Sequence, residues 1–463
     1  MERGARAAAS RRMMLADMAT LSLDELRRFI SLCDPMRPLE PGDPLYVAFD
    51  EGTPVRGDEG QSCIDSLQRL IYLKDETRQL FTGFPGTGKT TELKRLKVRL
   101  SEAKDLPTHA IYIDFEEWLD RYTPVSITDV LRVLAYCIDR EAALAEGKDP
   151  DAEPGYVKRF FDFLSQTDFE LNKMGFSAFG ASLMLELKNN PSMRQRAEQQ
   201  LKLRFQQFAK EAESAMVQAI LRIKTSLHVM RVVVIADGLE KLAPLREEDR
   251  QTMEASVESV FVQHAGLLKL PCHVIYTFPL WLRFRAAELG ALYEGQPAVL
   301  PMVKIADQSG ATFPAGVSKL HDLVARRIDL PRLFGNDLDA TLLPLIEASG
   351  GYPRDLLRMV RQVLINARQF PIGPHATQRV IDELTQQYAF VVRGTNLPLL
   401  GKISTTHALP QESAEEVAQF GRLLERWLVL AYRNGDEWYD LHPLVRRAPI
   451  VRAFLDGEEK GAT

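Results

Sequence analysis

The chain has 463 residues, 45% hydrophobic and 26% charged, with a formal net charge of −5. That length exceeds one ordinary domain, and the composition is that of a globular chain. The charge balance excludes a bulk basic field of the kind that holds nucleic acid or anionic lipid.

The opening "MERGARAAASRRMM" is rich in Arg and Ala. It lacks the apolar segment of a secretory signal and reads as a tail. "LSLDELRRFISLC" then has helical spacing behind a Ser/Asp start, and the Pro-rich "DPMRPLEPGDPLYVAF" must run extended. "GQSCIDSLQRLIYL" reads as a helix and "RQLFTG" as a short buried strand. A helix from Thr90 to about Ala103 puts Leu93, Leu96 and Leu100 on one side; "THAIYIDF" is the next strand. "SITDVLRVLAYCIDREAAL" is an amphipathic helix with Ser126 as its N-cap. Alternating strand and helix predicts an α/β parallel sheet with helices on its faces.

Residues 146–226 interrupt that order. Gly175 to Asn190 has the alternation of a hairpin, and Ser192 to Leu227 reads as one long helix or a bent pair. The expectation is an insertion that forms a solvated helical arm packing on the domain; a partner-contacting element is the other reading. The sheet resumes with "RVVVIAD", "CHVIYTF" and "AVLPMVKI". The Val/Ile run of the first is that of a central parallel strand, buried on both faces. Beyond Gly316 the chain turns helical, and "PIGP" (Pro371 to Pro374) marks a boundary. Helices near 377–390 and 412–427 precede "WLVLAYRNGDEWYDLHPLV", where Asn434-Gly435 is a strong hairpin signal. Helices followed by a hairpin fit a winged-helix domain.

The four cysteines, Cys33, Cys63, Cys137 and Cys272, form no CxxC pair. A zinc site and a disulfide framework are therefore not expected; reduced thiols in a cytoplasmic protein are. No apolar run approaches the roughly 20 residues that span a bilayer, so no membrane partner is expected.

"GFPGTGKT" (Gly83 to Thr90) satisfies the phosphate-loop pattern in full. Gly83, Gly86 and Gly88 let successive N–H groups of Gly83, Phe84, Pro85, Gly86, Thr87 and Gly88, Pro85 excepted, converge on one point, and the following helix adds its positive end. Lys89 supplies a mobile cation for the β and γ phosphates, Thr90 a hydroxyl for Mg²⁺, and Thr91 beside it is a further nucleotide-binding candidate. A buried strand ending in Asp237 is the expected place for the acid that anchors Mg²⁺. Glu240, three residues on, is the candidate that orients or deprotonates the attacking water.

This ordered set resembles origin-recognition-like AAA+ ATPases and, through Asp237-Gly-Leu-Glu240, the STAND class of bacterial signal-transduction ATPases. Gly238 departs from the AAA+ pattern, in which the catalytic Glu directly follows the Asp. The resemblance implies several further roles. Arg56 and Gly57 would border the adenine. Thr277 would be a polar γ-phosphate sensor, although Thr is also simply a strand former. Arg354, behind a Gly-Gly turn, would be the second sensor in a helical lid. Arg285 is a weak candidate for an arginine finger. The implied fold is an α/β P-loop NTPase (AAA+/STAND-like). Residues 1–53 would be tail, helix and linker; 54–310 the ATPase core with 146–226 inserted; 311–374 the lid; and 375–463 the winged helix.

From Thr377 to the end, ten Lys and Arg stand against twelve Asp and Glu, and Asp436 and Glu437 sit on the wing tip. Such a wing repels a phosphate backbone. Trp427, Tyr432, Trp438, Tyr439 and His442 are expected in the core or an interface. The reading is a Mg²⁺-dependent ATPase that binds ATP and ADP and acts as a nucleotide-gated switch, with a homo-oligomer or protein effector as partner and, by family analogy, antiviral defence as setting. The alternative is a DNA-associated AAA+ ATPase, replication-initiator-like or a transposition helper; DNA is the less favoured partner.

Overall fold

The computed structural model describes residues 21–57, 62–150, 155–165, 181–293 and 295–461. The N-terminal tail and residues 175–180 of the expected hairpin lie outside the described residues. The strands are β1 (Arg78–Gly83), β2 (Thr108–Asp114), β3 (Arg231–Asp237), β4 (His273–Thr277), β5 (Ala298–Leu300), β6 (Val429–Asn434) and β7 (Asp436–Leu441). The helices that matter below are α1 (Leu23–Leu32), α2 (Cys63–Leu73), α3 (Lys89–Ser101), α4 (Ile127–Ala145), α5 (Gly155–Ser165), α6 (Ala181–Asn189), α7 (Pro191–Leu203), α8 (Phe205–Leu227), α9 (Pro353–Asn366) and α10 (Pro374–Val391). The chain divides into a sheet unit, residues 62–300 with 417–425, and a helical unit that holds the other described residues.

In the sheet unit five parallel strands lie in the order β2-β3-β4-β1-β5. Ile64, Leu67 and Ile71 of α2 and Leu93, Leu96 and Leu100 of α3 cover one face, against Phe81, Ala110, Val233, Ile235 and Ile275. The opposite strand residues, Leu80, Ile111, Ile113, Val232, Val234 and Val274, join a second core with α4 and α8. The Val/Ile run of β3 is thus covered on both faces. Ser62 and Ser126 start α2 and α4, each in a reciprocal capping box that satisfies two N–H groups.

Two expectations change. "AVLPMVKI" pairs only as far as Leu300, because Pro301 has no N–H to continue the ladder. Residues 181–189 of the expected hairpin are helical: α6 buries Leu183, Met184 and Leu187, one face of a helix, and leaves Leu185 exposed. The bent helix pair forms as α7 and α8 and packs on the domain through an extensive apolar face. Phe208, Ala212, Ala215, Met216, Ala219, Ile220 and Ile223 of α8 are buried in the same core as α4. Four alanines on that face, Ala209 with the three above, keep it narrow and let the two helices pack closely. Asp129 in the first turn of α4 accepts from Arg194 of α7 at 2.8 Å and Arg132 at 3.2 Å, all buried.

In the helical unit α9 is amphipathic, burying Leu356, Leu357, Met359, Val360, Val363 and Leu364. β6 and β7 form an antiparallel hairpin turning at Gly435 (φ 86°). Tyr432 stacks on Trp438 at 4.4 Å and donates to the Gly350 carbonyl at 2.6 Å. Tyr432, Trp438, Tyr439 and His442 are buried, and Trp427 is half-buried. Immediately after Pro301, three backbone N–H groups reach three separate segments. Met302 donates to Ala431, Val303 to Gly351 and Lys304 to Val55.

Candidate functional site

All five strands run the same way, so their carboxyl ends share one edge. Phe81 on β1 is level with Thr277 on β4, Tyr276 with Ala236 on β3, and Asp237 with Asp114 on β2. The loop after β1, the Asp237 end of β3 and Thr277 between them therefore meet at that edge. The strand order there departs from chain order, which is where open α/β sheets hold ligands.

Gly83 (φ 154°) runs so close to β5 that a Cβ on it would stand 2.8 Å from the Leu300 carbonyl oxygen. Gly88 (φ 100°) is the N-cap of α3, in a left-handed conformation that other residues resist. Phe84 is fully buried and Pro85 exposed; the Phe84 carbonyl accepts from the Thr87 hydroxyl at 2.8 Å and fixes the loop. The Lys89 Nζ curls back over the loop, donating to the carbonyls of Gly83 (3.0 Å) and Phe84 (3.1 Å). It also lies 3.7 Å from Glu240 Oε1. Thr91 is buried in the first turn of α3.

Asp237 is fully buried. Its Oδ2 accepts from the Thr90 hydroxyl at 2.7 Å and the Tyr112 hydroxyl at 2.6 Å; its Oδ1 accepts from the Gly238 N–H at 2.9 Å. A single turn of 3-10 helix, Leu239–Lys241, brings Glu240 back so that its Oε2 accepts from the same Gly238 N–H at 3.1 Å. Burial pushes the Glu240 pKa up, Lys89 opposes this, and Asp237 adds to it. The Thr277 hydroxyl donates to the Ala236 carbonyl at 3.3 Å, and its proximity to Glu240 works against the rise. Asp114, level with Asp237, has its pKa raised chiefly by burial, the Glu116 N–H and Lys241 opposing and the charge of Asp237 adding to it. Burial and the carboxylate of Asp237 raise that of Tyr112.

Asp237, Glu240, Asp114, Lys89 and Lys241 make an acid-rich edge beside a loop of converging N–H groups. A hydroxyl and a carboxylate at 2.7 Å are hard oxygen donors of the kind Mg²⁺ takes, one or two from protein and the rest from phosphate and water. Among the described residues no group of three or more His, Cys, Asp and Glu could hold a metal ion by itself.

The structure thus brings together Gly83, Phe84, Pro85, Gly86, Thr87, Gly88, Lys89, Thr90, Thr91, Asp237, Glu240 and Thr277. Arg56, Gly57 and Arg354 belong to the helical unit. Arg56 is buried there with its guanidinium 4.3 Å from the Phe49 ring centre, and Gly57 has a φ of 83°. Arg354 lies in the first turn of α9, half-buried and close to Tyr352. Its neighbour Asp355 is taken by Tyr388 (2.6 Å) and His442 (3.3 Å). Arg285 is held by Glu254 (2.7 Å) and Glu258 (2.9 Å). Tyr112 and Asp114 escaped sequence reading. Their signal was the period-2 alternation of β2, which sets both on one face at the strand's end.

No family model and no curated protein matches the chain. Among solved structures it is similar to Cdc6p from Pyrobaculum aerophilum, with 12% identity, a TM-score of 0.32, and coverage of 89% of this chain and 99% of that one. The likeness is remote. Among the described residues no helix is long and apolar enough to cross a membrane.

Proposed function

We propose that this chain is a Mg²⁺-dependent AAA+/STAND-like ATPase whose nucleotide state sets its conformation. The observation that carries the reading is the Thr90 hydroxyl on the Asp237 carboxylate, beside a loop that carries Lys89. Gly83 to Thr90 cradle the phosphates with backbone N–H groups and the start of α3. Lys89 turns from Glu240 to the β and γ phosphates, and Thr277 faces the γ phosphate. Thr90 and Asp237 would hold Mg²⁺, which supplies neutralisation of the phosphate oxygens. Once Lys89 has left it, Glu240 is a buried carboxylate with a raised pKa, suited to taking a proton from the attacking water. The family resemblance makes Arg56 and Gly57 the candidates for the base pocket, Arg354 the candidate second sensor, and residues 375–463 the candidate winged helix.

The output is a conformational change passed to a protein effector or to a second copy, in a defence role that family analogy alone suggests. The test is ATP hydrolysis by the purified chain in Mg²⁺, with Lys89→Ala and Asp237→Asn as inactive controls, and molecular mass in ADP and in a non-hydrolysable ATP analogue. Equal mass and equal protease sensitivity in the two nucleotides would exclude a switch. Salt-dependent DNA binding with DNA-stimulated turnover would favour the DNA-associated reading.

A further inference from the structure

We propose that Tyr112 is a positioning residue for Asp237, setting the carboxylate toward the metal that Thr90 and Asp237 share; this rests on the reading of the site as one for Mg²⁺ and nucleotide. The Asp237 carboxylate is fixed at both oxygens, by the Gly238 N–H on Oδ1 and by Tyr112 and Thr90 on Oδ2. Gly238 is its sequence neighbour, and Thr90 is itself a candidate ligand that moves with the loop. Tyr112 alone comes from a separate strand of the sheet. In the β2–β3 register Tyr112 is level with Ile235, two residues short of Asp237, so its ring leans along the strand to reach the carboxylate. The ring is anchored independently of the hydroxyl: it packs on the core beneath α3, and the Lys94 ammonium lies 5.6 Å from its centre. A phenol so held stops the carboxylate turning. Mg²⁺ demands near-ideal octahedral geometry and is sensitive to such turning, whereas Ca²⁺ tolerates irregular shells. Partners that orient a metal ligand in this way are commonly worth 10–100-fold in metal affinity.

The test is Tyr112→Phe in the full chain, which keeps the ring and removes the hydroxyl. Binding of fluorescent ADP is followed against free Mg²⁺, against free Ca²⁺, and in EDTA. The expected result is a half-saturating Mg²⁺ about 10-fold higher, a smaller change with Ca²⁺, and unchanged affinity in EDTA. An unchanged Mg²⁺ titration overturns the role of Tyr112 and leaves the ATPase reading standing. Equal weakening in EDTA also overturns it, since the hydroxyl would then serve the fold or the nucleotide. If wild-type binding gains nothing from Mg²⁺, the ATPase reading fails and this inference falls with it.

Discussion

The Lys89 ammonium and the Glu240 carboxylate stand 3.7 Å apart, each with 5% of its side chain exposed. Removing one member of a buried pair leaves the other charged and desolvated, at a cost of about 3–5 kcal/mol. Lys89→Met is therefore expected to lower unfolding stability by about that much, and Lys89→Met with Glu240→Gln to recover most of it. Urea unfolding of both variants checks this; equal losses would mean the pair is uncoupled.

Glu240→Gln alone separates binding from turnover. The amide keeps the size of the side chain and cannot accept a proton, so ATP binding should persist while hydrolysis drops at least about 100-fold. Unchanged turnover would remove Glu240 from the chemistry.

Gly238 answers to its neighbour. With φ at 95°, a Cβ there would meet Asp114 Oδ1 at 3.0 Å. Gly238→Ala is expected to cost about 1–3 kcal/mol through backbone strain and to disturb the N–H shared by Asp237 and Glu240. Thermal unfolding reads the first effect, and turnover, expected to fall, the second.

Asp355 supplies a pH signature. Burial favours its neutral form, but the His442 ring 3.3 Å away and the hydrogen bond from the Tyr388 hydroxyl, with Arg358 nearby, outweigh it and hold the pKa below the ordinary Asp value. A depressed carboxylate stabilises the fold above its unfolded pKa, about 4, and loses that contribution as pH falls through the folded value. Asp355→Asn should be less stable than wild type by about 2–3 kcal/mol at pH 7, and the gap should close in acid. Unfolding curves from pH 7 to 3 measure it.

The inserted helices should prove integral to the sheet unit. Arg194→Ala removes the 2.8 Å partner of buried Asp129, and Phe208→Ala opens a cavity against Phe160 and Phe163 of α5. The losses expected are about 3 kcal/mol and about 3–5 kcal/mol, read by denaturant unfolding. Surface-like values below about 0.5 kcal/mol would mean that the insertion contributes little to the unit's stability.

The sheet was legible because its signals are local. The Val/Ile run of β3, the loop glycines and the Asn434-Gly435 turn each announce themselves within ten residues. α6 misled because Leu183, Leu185 and Leu187 alternate as in a strand; packing selected Met184 for burial instead of Leu185, a choice made by the partner helices. The nature of the insertion was hidden for a similar reason: α8 carries its charges outward and buries alanines, a weak apolar signal. Within the site, Lys89, Thr90, Asp237 and Glu240 follow from spacing. The hydroxyl of Tyr112 does not, since β2 and β3 are separated by 116 residues between Asp114 and Arg231 and only pairing makes them neighbours.

The hydrogen bonds of Met302, Val303 and Lys304 make three consecutive amides the meeting point of the hairpin, the Gly-Gly turn before Arg354 and the segment before Arg56. Consecutive peptide groups share their dihedrals, so these amides do not open one at a time. Followed by deuterium uptake, a single short peptide spanning them would report on all three segments together. A nucleotide that reorders any one of them would register there as a change in exchange rate, with no label placed near the phosphate loop.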